Sequence, residues 1–392
     1  MMPAIQFPIY MDNHATTRTD PRVVAAMLPY FTEQYGNAAS KMHRFGLDAE
    51  QAVKSARATI AQCIEAEPRE LIFTSGATES NNLALKGVAR FHQQRGKHLV
   101  TLTTEHKSVL DTCAHLERDG WQVTYVLVKK NGIVDLNVLE AAIRPDTILV
   151  TVMLANNEIG VIQPIKEIAT ICKDRGVVIH TDATQAVGKI PVSVCDLDVD
   201  LMSFTAHKLY GPKGVGALFV KRQGSRVRLD PLQDGGGHEQ GLRSGTLPVP
   251  LIVGFAEASR IAIEEMPVES VRLLQLRERL WNNLRSTISN ITLNGEYDHR
   301  LPGNLNVSFA WVKGESLLLE LKEIALSSGS ACTSMDSEPS HVLRALGLDD
   351  DAADASLRFG LGRFNTMEEV DYVAGRVAEA VTKLRKLSSA AH

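Results

Sequence analysis

Cysteine is scarce and scattered in this chain. The five residues (Cys63, Cys113, Cys172, Cys195 and Cys332) stand singly, with no CxxC pair. That excludes a disulfide framework and a self-contained zinc site. Positive charge is not in excess either. Lys and Arg number 42 against 46 Asp and Glu, a net charge of −4, which argues against nucleic acid or an anionic membrane as a main partner. No apolar run approaches the roughly 20 residues of a spanning helix. The opening stretch MMPAIQFPIYMDNHATT lacks the basic-then-apolar order of a secretory signal, so a cytoplasmic setting is expected. Nucleotide-binding glycine loops are missing too. FTSGATESNN has no Gly-Lys-Ser/Thr, and YGPKGVG is not a GxGxxG fingerprint.

What is present is ordinary globular material. The 392 residues are 44% hydrophobic, enough for a large core and, on length alone, roughly two to three domains. Short apolar runs (LIFT, HLVTLT, WQVTYVLV, TILVTVML, VVIHTDA) alternate with helical stretches such as VLDTCAHLERDG, DLNVLEAAI and PIKEIATICKDRG. An amphipathic helix is predicted over DAEQAVKSARATIAQCIEA, with Asp48 as its N-cap. This alternation predicts βαβ crossovers and a mainly parallel sheet covered on both faces. The rhythm changes after about residue 264. A long helix, the strand NLNVSFA, a short helix, a cysteine-containing loop, the strand SLRFGLG and a last helix from Met367 predict a smaller α+β unit.

Chemistry concentrates between His180 and Gly216. VVIHTDA closes on Asp182, and DLMSFTAHK closes on Lys208 before a Gly-Pro turn. Polar residues carried past strand ends are where open α/β sheets place their sites. A lysine held there in a pocket suits a Schiff-base nucleophile. An acid one strand away can keep a pyridinium nitrogen protonated, the partner pyridoxal phosphate needs as an electron sink. The alternative is that Asp182 caps a turn and Lys208 is a surface charge. FTSGATESNN follows a strand and opens a helix, so Gly76, Ala77 and Thr78 suit a phosphate held by unsatisfied amides, or a simple capping box. Cys332 lies in SSGSACTSMDSEPS, small and polar without hydrophobic period, which predicts an exposed mobile loop.

With these motifs in view, the chain resembles the class V, fold-type I pyridoxal-phosphate enzymes, and within them the cysteine desulfurases of the IscS/NifS type. The resemblance runs through MDNHATT, YGNAASKMHRFG, FTSGATESNN, TEHKSVLDTC, ANNEIGV, HTDATQAVGK, SFTAHKLYGPKG, GGGHEQGLRSGTLPV, SSGSACTS, EPSHVLRALG and RFGLGRF. It implies a large cofactor-binding domain over residues 15–263, with a mainly parallel seven-stranded sheet. Residues 1–14 and 264–392 would form a small α+β domain carrying the catalytic cysteine.

Position by position, the resemblance implies that Lys208 bonds the cofactor and Asp182 pairs with its ring nitrogen. His106 would stack on the ring and help transfer protons. Asn157 and Gln185 would contact the ring and its phenolic oxygen, while Ala77, Thr78, Thr205 and His207 would hold the phosphate. Thr246 would reach the phosphate of a second subunit, implying a homodimer. Arg358, assisted by Asn13 and Asn157, would bind the substrate carboxylate. Cys332 would take sulfur from L-cysteine as a persulfide, leaving L-alanine. It would pass that sulfur to an iron–sulfur scaffold or other acceptor proteins, tRNA thiolation included, and could serve as a transient iron–sulfur ligand. Departures from the family pattern are His14, Ala206 and Gly360. Two alternatives stay open: a selenocysteine lyase or other class V enzyme, and a non-enzymatic assembly subunit.

Overall fold

Strands are numbered along the chain: β1 (Ile9–Tyr10), β2 (Leu71–Thr74), β3 (His98–Leu102), β4 (Gln122–Val126), β5 (Thr147–Thr151), β6 (Val178–Asp182), β7 (Leu201–Thr205), β8 (Gly216–Val220), β9 (Ile291–Leu293), β10 (Asn304–Phe309), β11 (Ile324–Ala325), β12 (Ser327–Ser328) and β13 (Ser356–Gly360). The computed structural model describes residues 5–222, 227–328 and 339–389. Cys332 lies outside the described residues.

Seven strands form one sheet in the order β2-β8-β7-β6-β5-β3-β4. Neighbours from β7 through β4 are parallel, and β8 runs antiparallel to both β7 and β2. The expected mainly parallel seven-stranded sheet is therefore present. Its strand GALFV (β8) is one the sequence reading did not mark. It is a short run buried along its whole length, so no alternation distinguishes it from the turn before it.

Side-chain alternation along each strand sorts residues onto two faces. Leu71, Phe73, Val100, Leu102, Val150, Ile179, Met202, Phe204, Ala217 and Phe219 enter one core. Ile72, Leu99, Leu149, Val178, Leu201, Leu218 and Val220 enter another. A third core packs around β10 and β13, with Leu305, Val307, Phe309, Leu357 and Phe359. There a four-stranded sheet, β12-β13-β10-β9, is antiparallel throughout. The N-terminal segment joins it: β1 pairs with β11, and the Gly360 N–H donates to Met11 O at 2.7 Å.

Two helices differ from expectation. The first runs from Arg44 to Gln62, capped by His43, whose Nδ1 accepts the Gly46 N–H at 3.2 Å. Asp48 lies inside this helix, one turn after Arg44, and pairs with it at 3.4 Å. An imidazole acceptor is a cap that a search for Ser, Thr, Asp or Asn passes over. The second is a single 39-residue helix, Val249–Thr287, with Pro267 inside it. The change of rhythm at 264 falls within this helix. Its first half (Val249, Ile252, Phe255, Ile261) fills the core of the large sheet, and its second half (Leu273, Leu276, Leu280, Leu284) fills that of the small one.

Because β2 and β3 to β7 all point the same way, their carboxyl ends share one edge of the sheet. The segments that follow β2, β3, β5, β6 and β7 line a cavity of about 600 Å³ there.

Candidate active site

Asp182 is the last residue of β6, and only 5% of it is exposed. Both of its oxygens are occupied by neutral donors. Oδ1 accepts the Thr184 N–H at 2.9 Å, and Oδ2 accepts Asn81 Nδ2 at 2.7 Å. Asn81 also donates to Ser108 Oγ at 2.8 Å. Ser108 in turn serves His106, the N-cap of the Lys107–Arg118 helix, whose Nδ1 accepts the Ser108 N–H at 3.1 Å. That bond assigns the ring proton to Nε2. Burial, ahead of the field of Asp182, holds the His106 pKa below its ordinary value, so the ring is neutral near pH 7. Asn81 and Ser108 were not singled out in the sequence. The available signal was spacing: Asn81 lies one turn beyond Ala77, on the same face of the helix.

Lys208 closes a one-turn 3₁₀ segment, Ala206–Lys208, directly after β7. Its Nζ donates to His14 O at 2.6 Å and to Ala15 O at 2.5 Å. Two backbone carbonyls thus hold the amine at the cavity wall. Beside it, His207 Nδ1 lies 3.1 Å from Thr16 Oγ1. Burial, then the neighbouring Lys208 charge, lowers His207 to about 4. His207 is accordingly a neutral imidazole.

The far end of the cavity is the start of the Ala77–His92 helix. Gly76 precedes it at φ +155°, a backbone state nearly reserved for glycine. Across from it, a Cβ on Gly216 would fall 2.7 Å from Gly76 Cα, so both glycines are needed for β8 to approach this turn. The first amides of the helix have no intrahelical acceptors and carry the positive end of its dipole. Ala77, Thr78, Thr205 and His207 all border the same cavity. The Thr205 hydroxyl donates to Val215 O at 2.9 Å. An amine, a carboxylate and a helix N-terminus on one cavity fit the aldehyde, ring nitrogen and phosphate of pyridoxal 5′-phosphate. Asn157 and Gln185 complete the wall.

Other residues singled out in the sequence sit apart. Arg358, in β13, is 1% exposed and is not among the residues bordering the cavity. Its Nη2 pairs with Asp12 Oδ1 at 2.7 Å and its Nη1 donates to Asn157 O at 3.1 Å. Asn13 donates to Gly360 O at 2.8 Å, behind the wall. Thr246 is exposed and outside the cavity. Cys332 lies beyond the described residues. On one side of it, Ser327 pairs in register with Arg358; on the other, Ser340 donates to the buried Glu158. Among the described residues no cluster of His, Cys, Asp or Glu could hold a metal ion. No helix among them is long and apolar enough to cross a membrane.

Comparison with known proteins identifies the family of the chain. Residues 9–373 match the aminotransferase class-V family. The chain is 56% identical to the human "Cysteine desulfurase" over 381 residues, 97% of this chain and 83% of that protein. It is 56% identical over 386 residues to the "Cysteine desulfurase IscS" of Escherichia coli (strain K12 / DH10B), covering 98% of this chain and 95% of the other. Among solved structures, a "NIFS-LIKE PROTEIN" aligns with a TM-score of 0.89 at 40% identity, over 95% of this chain and 99% of its own. "SspA in complex with cysteine" aligns at 0.81 and 38% identity, over 91% and 100%.

Proposed function

Because this chain belongs to the aminotransferase class-V family, we propose that the cavity at the sheet edge is where it desulfurates L-cysteine. The protein is a pyridoxal 5′-phosphate-dependent cysteine desulfurase, which leaves L-alanine and an enzyme-bound persulfide. One observation carries the assignment of the site: Lys208 and Asp182 converge on a single cavity that ends at a helix N-terminus.

When bound, the cofactor supplies an electron sink that acidifies the substrate's Cα proton. The chain's own residues do the rest. Lys208 anchors the cofactor and, once released, carries a proton from Cα as general base. Asp182 holds the proton on the ring nitrogen, and Asn81 with the Thr184 amide keeps that carboxylate in place. Ala77, Thr78, Thr205 and His207 hold the phosphate, while Asn157 and Gln185 meet the ring. His106, as a neutral imidazole, passes protons at the wall. Arg358 and Asn13 take the substrate carboxylate, for which Arg358 must exchange its partner Asp12. The thiolate of Cys332 forms the S–S bond as the substrate's Cβ–S bond breaks. A proton then replaces sulfur on Cβ, and alanine leaves.

Two copies assemble so that Thr246 of each serves the other's phosphate. The exposure of Thr246 outside its own cavity supports this reading. Light scattering should give twice the chain mass of 42.9 kDa. A fully active monomer would refute shared sites. The division into residues 15–263 and residues 1–14 with 264–392 belongs to the same proposal, supported by the separate cores and by the β1–β11 pairing. The setting is cytoplasmic, in keeping with the unpaired Cys63, Cys113, Cys172 and Cys195. The sulfur goes to an iron–sulfur scaffold or another acceptor protein.

The test is direct. With L-cysteine, purified protein should form alanine and sulfur in equal amounts. Absence of alanine from cofactor-loaded protein would end the proposal. Asp182→Asn should retain cofactor yet lose turnover by about 10²–10³-fold, because an amide cannot hold the ring proton. Asn81→Ala, which frees the carboxylate and also removes the donor to Ser108 Oγ, should lose about tenfold. Equal rates in all three proteins would show Asp182 to be structural.

A further inference from the structure

Gln185 is held by two donors on one side. Its Oε1 lies 3.0 Å from His14 Nδ1 and accepts Lys189 Nζ at 2.8 Å. Its Nε2 donates to His14 O at 2.9 Å. A backbone carbonyl only accepts, so this last contact fixes which end of the amide is nitrogen. The oxygen must then face His14 and Lys189, and the Nδ1 of His14 must carry the proton. One Nε2 hydrogen remains, on a residue that borders the main cavity.

The two donors are built in at some cost. Gly188, at φ +77°, turns the chain so that Lys189 follows it inward, and a Cβ at Gly188 would meet Leu209 Cβ at 2.9 Å. Gly360 leaves space for the imidazole: a Cβ there would lie 3.0 Å from His14 Cδ2 and 2.9 Å from the Asn13 nitrogen. Lys189 is a lysine among buried groups. Burial first, then the Lys208 and Arg358 charges, bring its pKa down to about 7, with Glu269 the compensating acid. Burial also keeps His14 neutral, which leaves Nδ1–H as a donor and Nε2 without a partner among the described residues.

We propose that Lys189 and His14 are positioning residues that lock the Gln185 amide with its nitrogen toward the cavity, so that its free N–H is presented to the phenolic oxygen of the cofactor. The inference rests on the site proposed above. Without these donors the amide can flip and turn its oxygen toward that phenolate. A donor on the phenolic oxygen competes for the electron pair that otherwise holds the proton of the lysine–cofactor Schiff base. Losing it should raise the pKa of that Schiff base.

The test is a pH titration of the Schiff-base absorbance in the holoenzyme, independent of turnover. Lys189→Met should raise the apparent pKa by about one unit, the scale of a hydrogen bond to a charged oxygen. Lys189→Gln, which still donates but carries no charge, should stay at the wild-type value. Gln185→Ala should match Lys189→Met, and the double variant Gln185→Ala/Lys189→Met should rise no further. Additive shifts, or a Lys189→Gln shift equal to that of Lys189→Met, would show Lys189 acting through its charge and overturn the inference. If Lys189→Met does not fold, His14→Leu removes the other donor and must show the same non-additive rise. A wild-type protein that forms no Schiff base with cofactor would overturn the site reading, and this inference with it. A normal wild-type spectrum with an unmoved Lys189→Met overturns the inference alone.

Discussion

Lys208→Ala should abolish desulfuration of L-cysteine, with turnover lower by at least about 10⁴-fold, while the fold persists. The size follows from the two tasks placed on one amine, covalent anchor and general base, the second alone being worth about 10²–10⁴. The fold should survive because the Lys208 amine is held by backbone carbonyls at the cavity wall, those of His14 and Ala15. These sit beside the cavity and can be solvated when the amine is gone. Borohydride supplies the second measurement. Reduction of the wild-type holoenzyme should fix cofactor to one peptide, the one containing Lys208. Lys189, also close to the cavity, is the informative control. It is half-buried and committed to Gln185, so it should carry no label. Label on Lys189, or normal turnover in the alanine variant, would move the chemistry elsewhere.

The sequence made much of this legible, for reasons that can be traced. Asp182 and Lys208 stood out because each ends an apolar strand, and strand ends are one-dimensional features. Their nearness is three-dimensional, but it follows from β6 and β7 being adjacent and parallel. Family resemblance then supplied roles that residue type alone leaves open. What escaped was support supplied from a distance in sequence. Asn81 reaches Asp182 across 101 positions and His14 reaches Gln185 across 171, and no spacing rule connects such pairs. His14 and Gly360 were visible separately as departures from the family pattern. Only the structure shows that the glycine makes room for the ring. The change of rhythm near 264 has a related origin. One helix serves two cores there, so the partner of its apolar face changes along its length while the helix continues past Pro267.

Cys332→Ser should be as severe as loss of Lys208 but fail at a different step. The variant should bind cofactor and substrate with unchanged spectra and release no alanine, because no sulfur nucleophile remains to break the Cβ–S bond. The argument begins with what flanks this residue. Ser327 is in register with Arg358, the proposed carboxylate ligand, and Ser340 is tied to Glu158, next to the cavity residue Asn157. Both flanks are therefore tied to segments that carry Arg358 and Asn157. The other cysteines are poor substitutes. Cys113 and Cys172 are buried and Cys63 is largely so, and burial raises all three thiols, Cys63 and Cys172 to about 12. Hardly any thiolate exists there near neutrality. Cys195 is exposed, yet its Sγ contacts Glu65 O at 3.6 Å, and it does not border the cavity. Mass spectrometry after incubation with L-cysteine should thus find one added sulfur atom, on the Cys332 peptide alone. Added sulfur on Cys195, or alanine release from the serine variant at the wild-type rate, would require a different acceptor for the first sulfur.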